Sequence, residues 1–429
     1  MCAKMKLDFK GEAIMKKYDL IVVGGGLSGA CATISASRQG LNVLLLEKSN
    51  SLGGTATGGL VLPFMPNETV INGQKTYLWG SIFREIREEL NKLGATWYES
   101  FREEELKLVL NRMVRDSGAD ILFHAYLTGA EYKDGKISSV SASTIEGTIA
   151  FEADYFIDAT GDGQLCFLAG LPFVLGREKD NLCQPMTLSF RVGGVDADAF
   201  FEGLEELNKE YKIHLENGEF KNPRENILVF KTAIDSVLHF NTTRVVKKNP
   251  TSIAELTEAE IEAREQVYET FDFIKKYGKG VKNAYVLSTG NQIGVRESRK
   301  IVGEYTLTEK ECVECTKFED SICACNYDID IHNPEGTGTS HHYFATGEYY
   351  QIPYRTLIPK GTKNILVVGR CISCDHGAQA STRIMPVVSA IGEAGGTAIA
   401  QAFKGKQSTT EIDTKKLQST LKSNGSFIG

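Results

Sequence analysis

Three glycines and one acid carry the most specific chemistry in this 429-residue chain. Gly24, Gly26 and Gly29 form G-x-G-x-x-G, and Glu47 stands 23 positions after Gly24. In such a pattern the first glycine permits a tight turn and the second lets backbone approach a pyrophosphate. The third lets a helix pack close to the preceding strand. The acid accepts hydrogen bonds from ribose hydroxyls, which favours an unphosphorylated ribose. The elements needed to position these residues occur in order. Leu20 to Val23 is an apolar run that reads as a buried parallel strand. Ala30 to Gln39 predicts a helix of small residues, ended by Gly40, and Asn42 to Leu46 predicts a second strand. Amides at the helix start, around Leu27 and Ser28, would face the pyrophosphate. The motif alone admits NAD or FAD.

Three further stretches distinguish the two. "LLLEKSNSLGGTATGG" continues past the acid through Lys48 into Gly53, Gly54 and Thr55. "YFIDATGDGQL" brings an apolar strand to Ala159, Thr160 and Gly161. "NILVVGRCISCDHGAQASTRIMPVVSAIGEAGGTAIAQAF" places Arg370, Arg383 and Met385 before a helix of small residues. Together they resemble the FAD-dependent oxidoreductases of the glutathione-reductase-like flavoprotein superfamily. "GNQIGVRESRKIVGEYTLTEKE", "YDIDIHNPEG" and "YQIPYRTLIP" also fit that family. The resemblance runs from about Tyr18 to Phe403. It implies FAD as cofactor, with Gly53-Gly54 beneath the flavin, the strand holding Ala125 and Leu127 beside the adenine, and the Arg383–Pro386 segment at the flavin pyrimidine. Many relatives carry an acid after the glycine of the last segment. Here Arg370 follows Gly369 and the nearest acid is Asp375, so the ribityl or phosphate role stays open between them.

The implied fold class is α/β. A Rossmann-like FAD-binding domain, with a parallel sheet and a three-stranded β-meander, would carry an inserted α+β substrate domain. The expected boundaries are an N-terminal extension at 1–14, the first part of the FAD domain at 15–175 and the substrate domain at 176–360. The C-terminal part of the FAD domain follows at 361–405, and a tail at 406–429. In the insertion, Gln184 to Val195 reads as a strand, and Thr257 could cap a long helix with Ile261, Val267, Phe271 and Ile274 on its core face. Gly294 to Val302 reads as a second helix. No second G-x-G-x-x-G occurs in the insertion, which argues against a built-in NAD(P)H domain.

Hydride transfer at a flavin requires a positioned substrate and a base for the second proton. His376, in the loop before Arg383, and His341, in a glycine- and aromatic-rich loop, are the base candidates. His332 reads as a turn residue. Arg296 and Arg355 could clamp an anionic or polyhydroxylated substrate, and Tyr354 could donate a phenolic proton. Cys312, Cys315, Cys323 and Cys325 have the spacing C-x2-C-x7-C-x-C. This matches no common zinc or ferredoxin site, and the thiols are expected on an exposed hairpin without metal. The expected function is hydride transfer between flavin N5 and a small polar substrate, sugar-like, polyol or carboxylate. The alternatives are an electron-transfer subunit with a metal at 312–325, or a flavin enzyme with net lyase or isomerase chemistry.

A formal net charge of −7 argues against nucleic acid or an anionic membrane as partner. No apolar run reaches the roughly 18–20 residues that span a bilayer, and the N-terminus lacks an apolar signal core. The expectation is a cytoplasmic protein that meets a small-molecule substrate and an external electron acceptor or donor. A homo-oligomer is compatible with the sequence.

Overall fold

A computed structural model describes residues 17–429; the expected 1–14 extension lies outside them. β1 (Tyr18–Val23) is apolar on both faces and sits inside a seven-stranded sheet. It pairs in parallel with β2 (Val43–Leu46) on one side and with the strand Gly147–Asp158 on the other. Parallel strands buried on both faces need such unbroken apolar runs. Gly147–Asp158 serves two structures. Its first half pairs antiparallel with Lys136–Thr144, which pairs with Tyr126–Lys133 to complete the meander. Its second half pairs in parallel with β1 and with Ile365–Val367, which the chain reaches only after the whole insertion.

Helix α1 (Leu27–Arg38) is buried along all but its last residue. It lies against the helix Met385–Gly405, and the contact depends on glycine. A Cβ on Gly392 would stand 2.1 Å from the Ser28 carbonyl oxygen, and one on Gly396 would stand 2.2 Å from that of Ala32. The two helices therefore run parallel with their backbones nearly touching, tied by Ser35 Oγ and Thr397 Oγ1 at 2.8 Å.

The insertion is built on a four-stranded antiparallel sheet, ordered Val229–Lys231, Val237–Phe240, Phe190–Gly193, Tyr285–Thr289. Alternation gives it two faces. Phe190 and Phe240 stack at 5.0 Å and pack under the long helix Ile253–Tyr277. Arg191 and His239, also paired across strands, face the other way. There Arg191 meets Glu103, at the N-terminus of helix Glu103–Asp116 in the nucleotide-binding half.

Four expectations about these elements are corrected. Ser252, not Thr257, caps the long helix, because its side chain accepts the Glu255 amide; the Thr257 hydroxyl instead donates to the Ile253 carbonyl. Ile261 is exposed on that helix, while Ala259, Ala263, Val267 and Ile274 fill the core face. Gly294 to Val302 is not helical: Arg299–Ile301 is a strand pairing with Phe173–Leu175, held by the Arg299 guanidinium over the Phe167 and Phe173 rings. Residues 406–429 are packed rather than a tail. Helix Thr414–Ser423 buries Leu417 and Leu421, and Ile428 is pinned by the Ser321 hydroxyl. Among the described residues, no helix is long and apolar enough to cross a membrane.

Candidate functional site

One cleft of about 500 Å³ is lined both by the glycine turn of α1 and by residues of the inserted sheet. The turn is shaped by three different constraints. Gly24 has φ +100°, and a Cβ there would stand 2.5 Å from the Ala159 carbonyl oxygen. A Cβ on Gly29 would stand 1.8 Å from the Gly24 oxygen, so this glycine lies beneath the cleft and sets the helix–strand distance. Gly26 differs. Its φ is −62°, which any residue adopts, and a Cβ would meet only Gly54 Cα at 4.0 Å. The protein itself does not require glycine at 26; what requires it is the cleft that Gly26 borders. A bare backbone at that point fits a pyrophosphate.

Glu47 is buried and has a second duty. One carboxylate oxygen accepts the Gly25 amide at 2.6 Å and the other the Ser49 amide at 2.7 Å. It therefore fixes the glycine turn as well as lining the nucleotide end of the cleft. Gly53 and Gly54 both take positive φ, and Gly53 bridges to Gly26. Lys48, Thr55, Ala125, Leu127, Ala159, Thr160, Gly161, Arg370, Arg383 and Met385 line the same cleft. So do Leu27 and Ser28 at the start of α1.

Two helix N-termini open into this space. Neither α1 nor Met385–Gly405 has a side-chain cap or an acid in its first turn, so each leaves unpaired amides and a positive dipole end. Because Gly392 stands over Ser28, the helix Met385–Gly405 begins about six residues before the level of Leu27. At 1.5 Å per residue its N-terminus projects roughly 9 Å further. One helix can thus face a pyrophosphate while the other faces a more distant part of the same cofactor. Arg370 bonds the Gly161 and Val295 carbonyls and the Asp162 carboxylate, joining the nucleotide turn to the insertion. Asp375 caps helix His376–Thr382 by accepting the Ala378 amide, and it does not line the cleft.

At the far end the lining changes from backbone to side chains. Arg296 projects from an extended segment and is half-buried. It donates to the Pro185 carbonyl at 2.7 Å, the Thr187 hydroxyl at 2.6 Å and the Asn241 side-chain oxygen at 3.4 Å. Desolvation, together with the charges of Arg383, Arg224 and Arg244, holds its pKa well below the usual arginine value. Asp330 and His332 lie two residues apart on strand Ile329–His332, so their side chains share a face. Arg244 donates to His332 Nδ1 at 3.1 Å. Since arginine can only donate, Nδ1 is the acceptor and Nε2 carries the proton, directed at Asp330 Oδ2 at 3.2 Å. Burial and the Arg296 charge keep His332 neutral, well below its ordinary pKa. Burial would raise the Asp330 carboxyl, but His332, Arg383 and Arg296 together hold it below the usual carboxylate range.

Four residues expected at the chemistry lie elsewhere. His376 starts its helix with Nδ1 2.8 Å from Glu297, which is also bonded by Lys300; this buried cluster lies outside the cleft lining. His341 stands on the rim hairpin, stacked on Tyr343 and 3.8 Å from Asp330. Tyr354 is buried and donates to the Thr409 carbonyl at 2.8 Å. Arg355 turns outward to Asp320, over the Tyr305 ring. The cysteines also differ from expectation. Cys312, Cys323 and Cys325 are buried in the core and only Cys315 is partly open. Among the described residues no three His, Cys, Asp or Glu side chains gather in a metal-binding group. Asp330, Tyr327 and Asn241, which the sequence does not single out, line the cleft, and so does His332, expected at a turn. The i, i+2 spacing of Asp330 and His332 in "YDIDIHNP" was the available signal.

One solved structure shares this fold, and curated proteins share parts of the sequence. A solved geranylgeranyl bacteriochlorophyll reductase-like protein from Thermoplasma acidophilum matches 96% of this chain and 85% of its own, with TM-score 0.50 and 14% identity. Digeranylgeranylglycerophospholipid reductase 1 of Methanococcoides burtonii is 26% identical over 192 residues, 42% of this chain and 46% of that protein. 3-oxosteroid 1-dehydrogenase of Comamonas testosteroni is 45% identical over 51 residues, 11% of this chain and 9% of that protein. The chain thus spans under half the length of these curated relatives. The FAD dependent oxidoreductase family matches residues 19–421, nearly all of the described chain, and the chain belongs to that family as an FAD-dependent oxidoreductase.

Proposed function

We propose that the enzyme transfers a hydride between FAD and a small polar organic substrate, hydroxylated or carboxylated, within the glutathione-reductase-like group of flavoproteins. One observation carries this reading. A single cleft joins the bare glycine turn to the Arg296, Asp330, His332 and Arg383 side chains. FAD, when bound, supplies a two-electron hydride acceptor or donor. The glycine turn, Glu47 and the start of α1 would hold its adenosine and pyrophosphate, and the N-terminus of Met385–Gly405 would favour negative charge on the reduced ring. Asp330, kept ionised, is the candidate proton acceptor. His332 orients it through the Nε2–H donated to Oδ2, and Arg244 fixes the tautomer of that imidazole. The relatives' lipid substrates do not transfer to this chain, since the matched regions are partial.

The test is anaerobic mixing of FAD-loaded protein with hydroxylated and carboxylated compounds. Loss of the oxidised-flavin absorption with one of them is the expected result. Turnover of a substrate without any flavin reduction would replace this reading with net non-redox chemistry.

A further inference from the structure

The cleft is lined by two unlike kinds of side chain. Arg296 offers five N–H donors, and its partners occupy three of them. Nε and one Nη2 hydrogen remain uncommitted, and no partner of this guanidinium is a carboxylate. Arg224, Arg244 and Arg383 bear on Arg296, against Asp330, and Glu225 pairs with Arg244. Apolar side chains also line the cleft, Leu228, Phe230, Pro250, Leu256 and Ile293 among them. Glu260, which lines it too, accepts the Ile293 amide through Oε1 at 2.6 Å.

We propose that the substrate is an amphiphilic organic acid, bound with its carboxylate on Arg296 and its apolar body against Leu228 and Phe230. The proposal rests on the reading of this cleft as the substrate site of an FAD enzyme and names the substrate's class. A carboxylate takes the two open N–H donors in the planar fork that arginine presents. It also gives this guanidinium the carboxylate partner it lacks. Thr187 and Asn241 hold the fork in place, since both bond it from the floor of the sheet. The apolar lining then sorts acids by how much apolar surface each removes from water.

Titration calorimetry on the FAD-loaded full chain, kept oxidised, tests this with three probes: octanoate, octanamide and acetate. Octanoate is expected to bind at least tenfold tighter than either of the others. Arg296→Gln should weaken octanoate roughly 10- to 100-fold, leave octanamide unchanged and retain FAD. Phe230→Ala should narrow the gap between octanoate and acetate. Equal binding of octanoate and octanamide by the unmodified protein overturns the proposal, and that comparison needs no variant to fold. Loss of FAD from Arg296→Gln with octanoate preference intact also overturns it, by assigning the arginine to the cofactor. The redox reading fails separately, when acids bind with this preference but no compound reduces the flavin.

Discussion

The two ends of the cleft are built on opposite plans. The nucleotide end is backbone: glycines, turn amides and two uncapped helix N-termini, with Glu47 as the main polar side chain. The substrate end is side chains drawn from distant segments: Thr187, Asn241, Arg296, Asp330, His332 and Arg383. Backbone binding depends on local conformation, so a short motif is enough to encode it. Side-chain binding depends on how separate segments pack, and it can be changed without disturbing the fold beneath. Each prediction below presses on that difference.

The largest effect should come from Gly29→Ala. Its Cβ would stand 1.8 Å from the Gly24 oxygen and 3.0 Å from the Ala159 side chain, and neither can retreat without parting α1 from β1. A loss of about 3 kcal/mol is expected in denaturant unfolding of the FAD-free protein. Gly26→Ala is the contrasting change. With only Gly54 Cα at 4.0 Å, it should leave apo stability nearly unchanged and weaken FAD binding instead, measured by fluorescence titration. Equal destabilisation by both would break the distinction between packing and cofactor-facing glycines.

At the other end, Asp330→Asn should keep FAD and slow flavin reduction roughly 100-fold or more, the range for loss of a positioned proton acceptor. Stopped-flow absorbance reads both. A variant that reduces flavin at the normal rate would move proton handling away from this strand.

His239 sharpens the comparison through pH. It lies behind the substrate end, fully buried, with neither ring nitrogen partnered, and desolvation followed by the Arg191 charge lowers its pKa to about 3. An unfolded histidine binds its proton near pH 6.5. Between those values the unfolded chain binds the extra proton, so this contribution to stability is full above about 6.5 and is lost as pH falls towards 3. The slope is about 1.4 kcal/mol per pH unit for one group. His239→Leu should flatten that decline in unfolding measured from pH 6.5 to 4.5; an unchanged slope would exclude His239 as its source. The smallest effect is expected from Arg355→Ala. Its half-exposed guanidinium pairs with the buried Asp320, so the loss should be about 1–2 kcal/mol, and flavin reduction should not change.

The same contrast explains what was legible in the sequence. The glycine turn, Glu47, the Gly53-Gly54 step and the Ala159–Gly161 turn are contiguous motifs, and all but the deeply packed Gly29 line the cleft. The parallel strands followed from apolar runs, and the meander was implied by the family resemblance; in the structure Asp134 and Gly135 both take positive φ at its first hairpin turn. The substrate end was less legible because spacing does not show which way a side chain turns. His376 and Tyr354 have suitable chemistry, but their elements aim them at Glu297 and Thr409. The Arg296 segment was misassigned as helix because its charged residues, Glu297, Arg299 and Lys300, look exposed in sequence. They are buried and satisfied by one another, by carbonyls and by aromatic faces, which only tertiary contact provides.

The central claim is that one cleft holds FAD by backbone and the substrate by side chains. A crystal structure with FAD and a bound carboxylate tests it most directly. The account places the pyrophosphate against Gly26 and the first amides of α1, with the carboxylate on Arg296. A pyrophosphate held by Arg296, or a carboxylate bound outside the Arg296–Asp330 end, would contradict it.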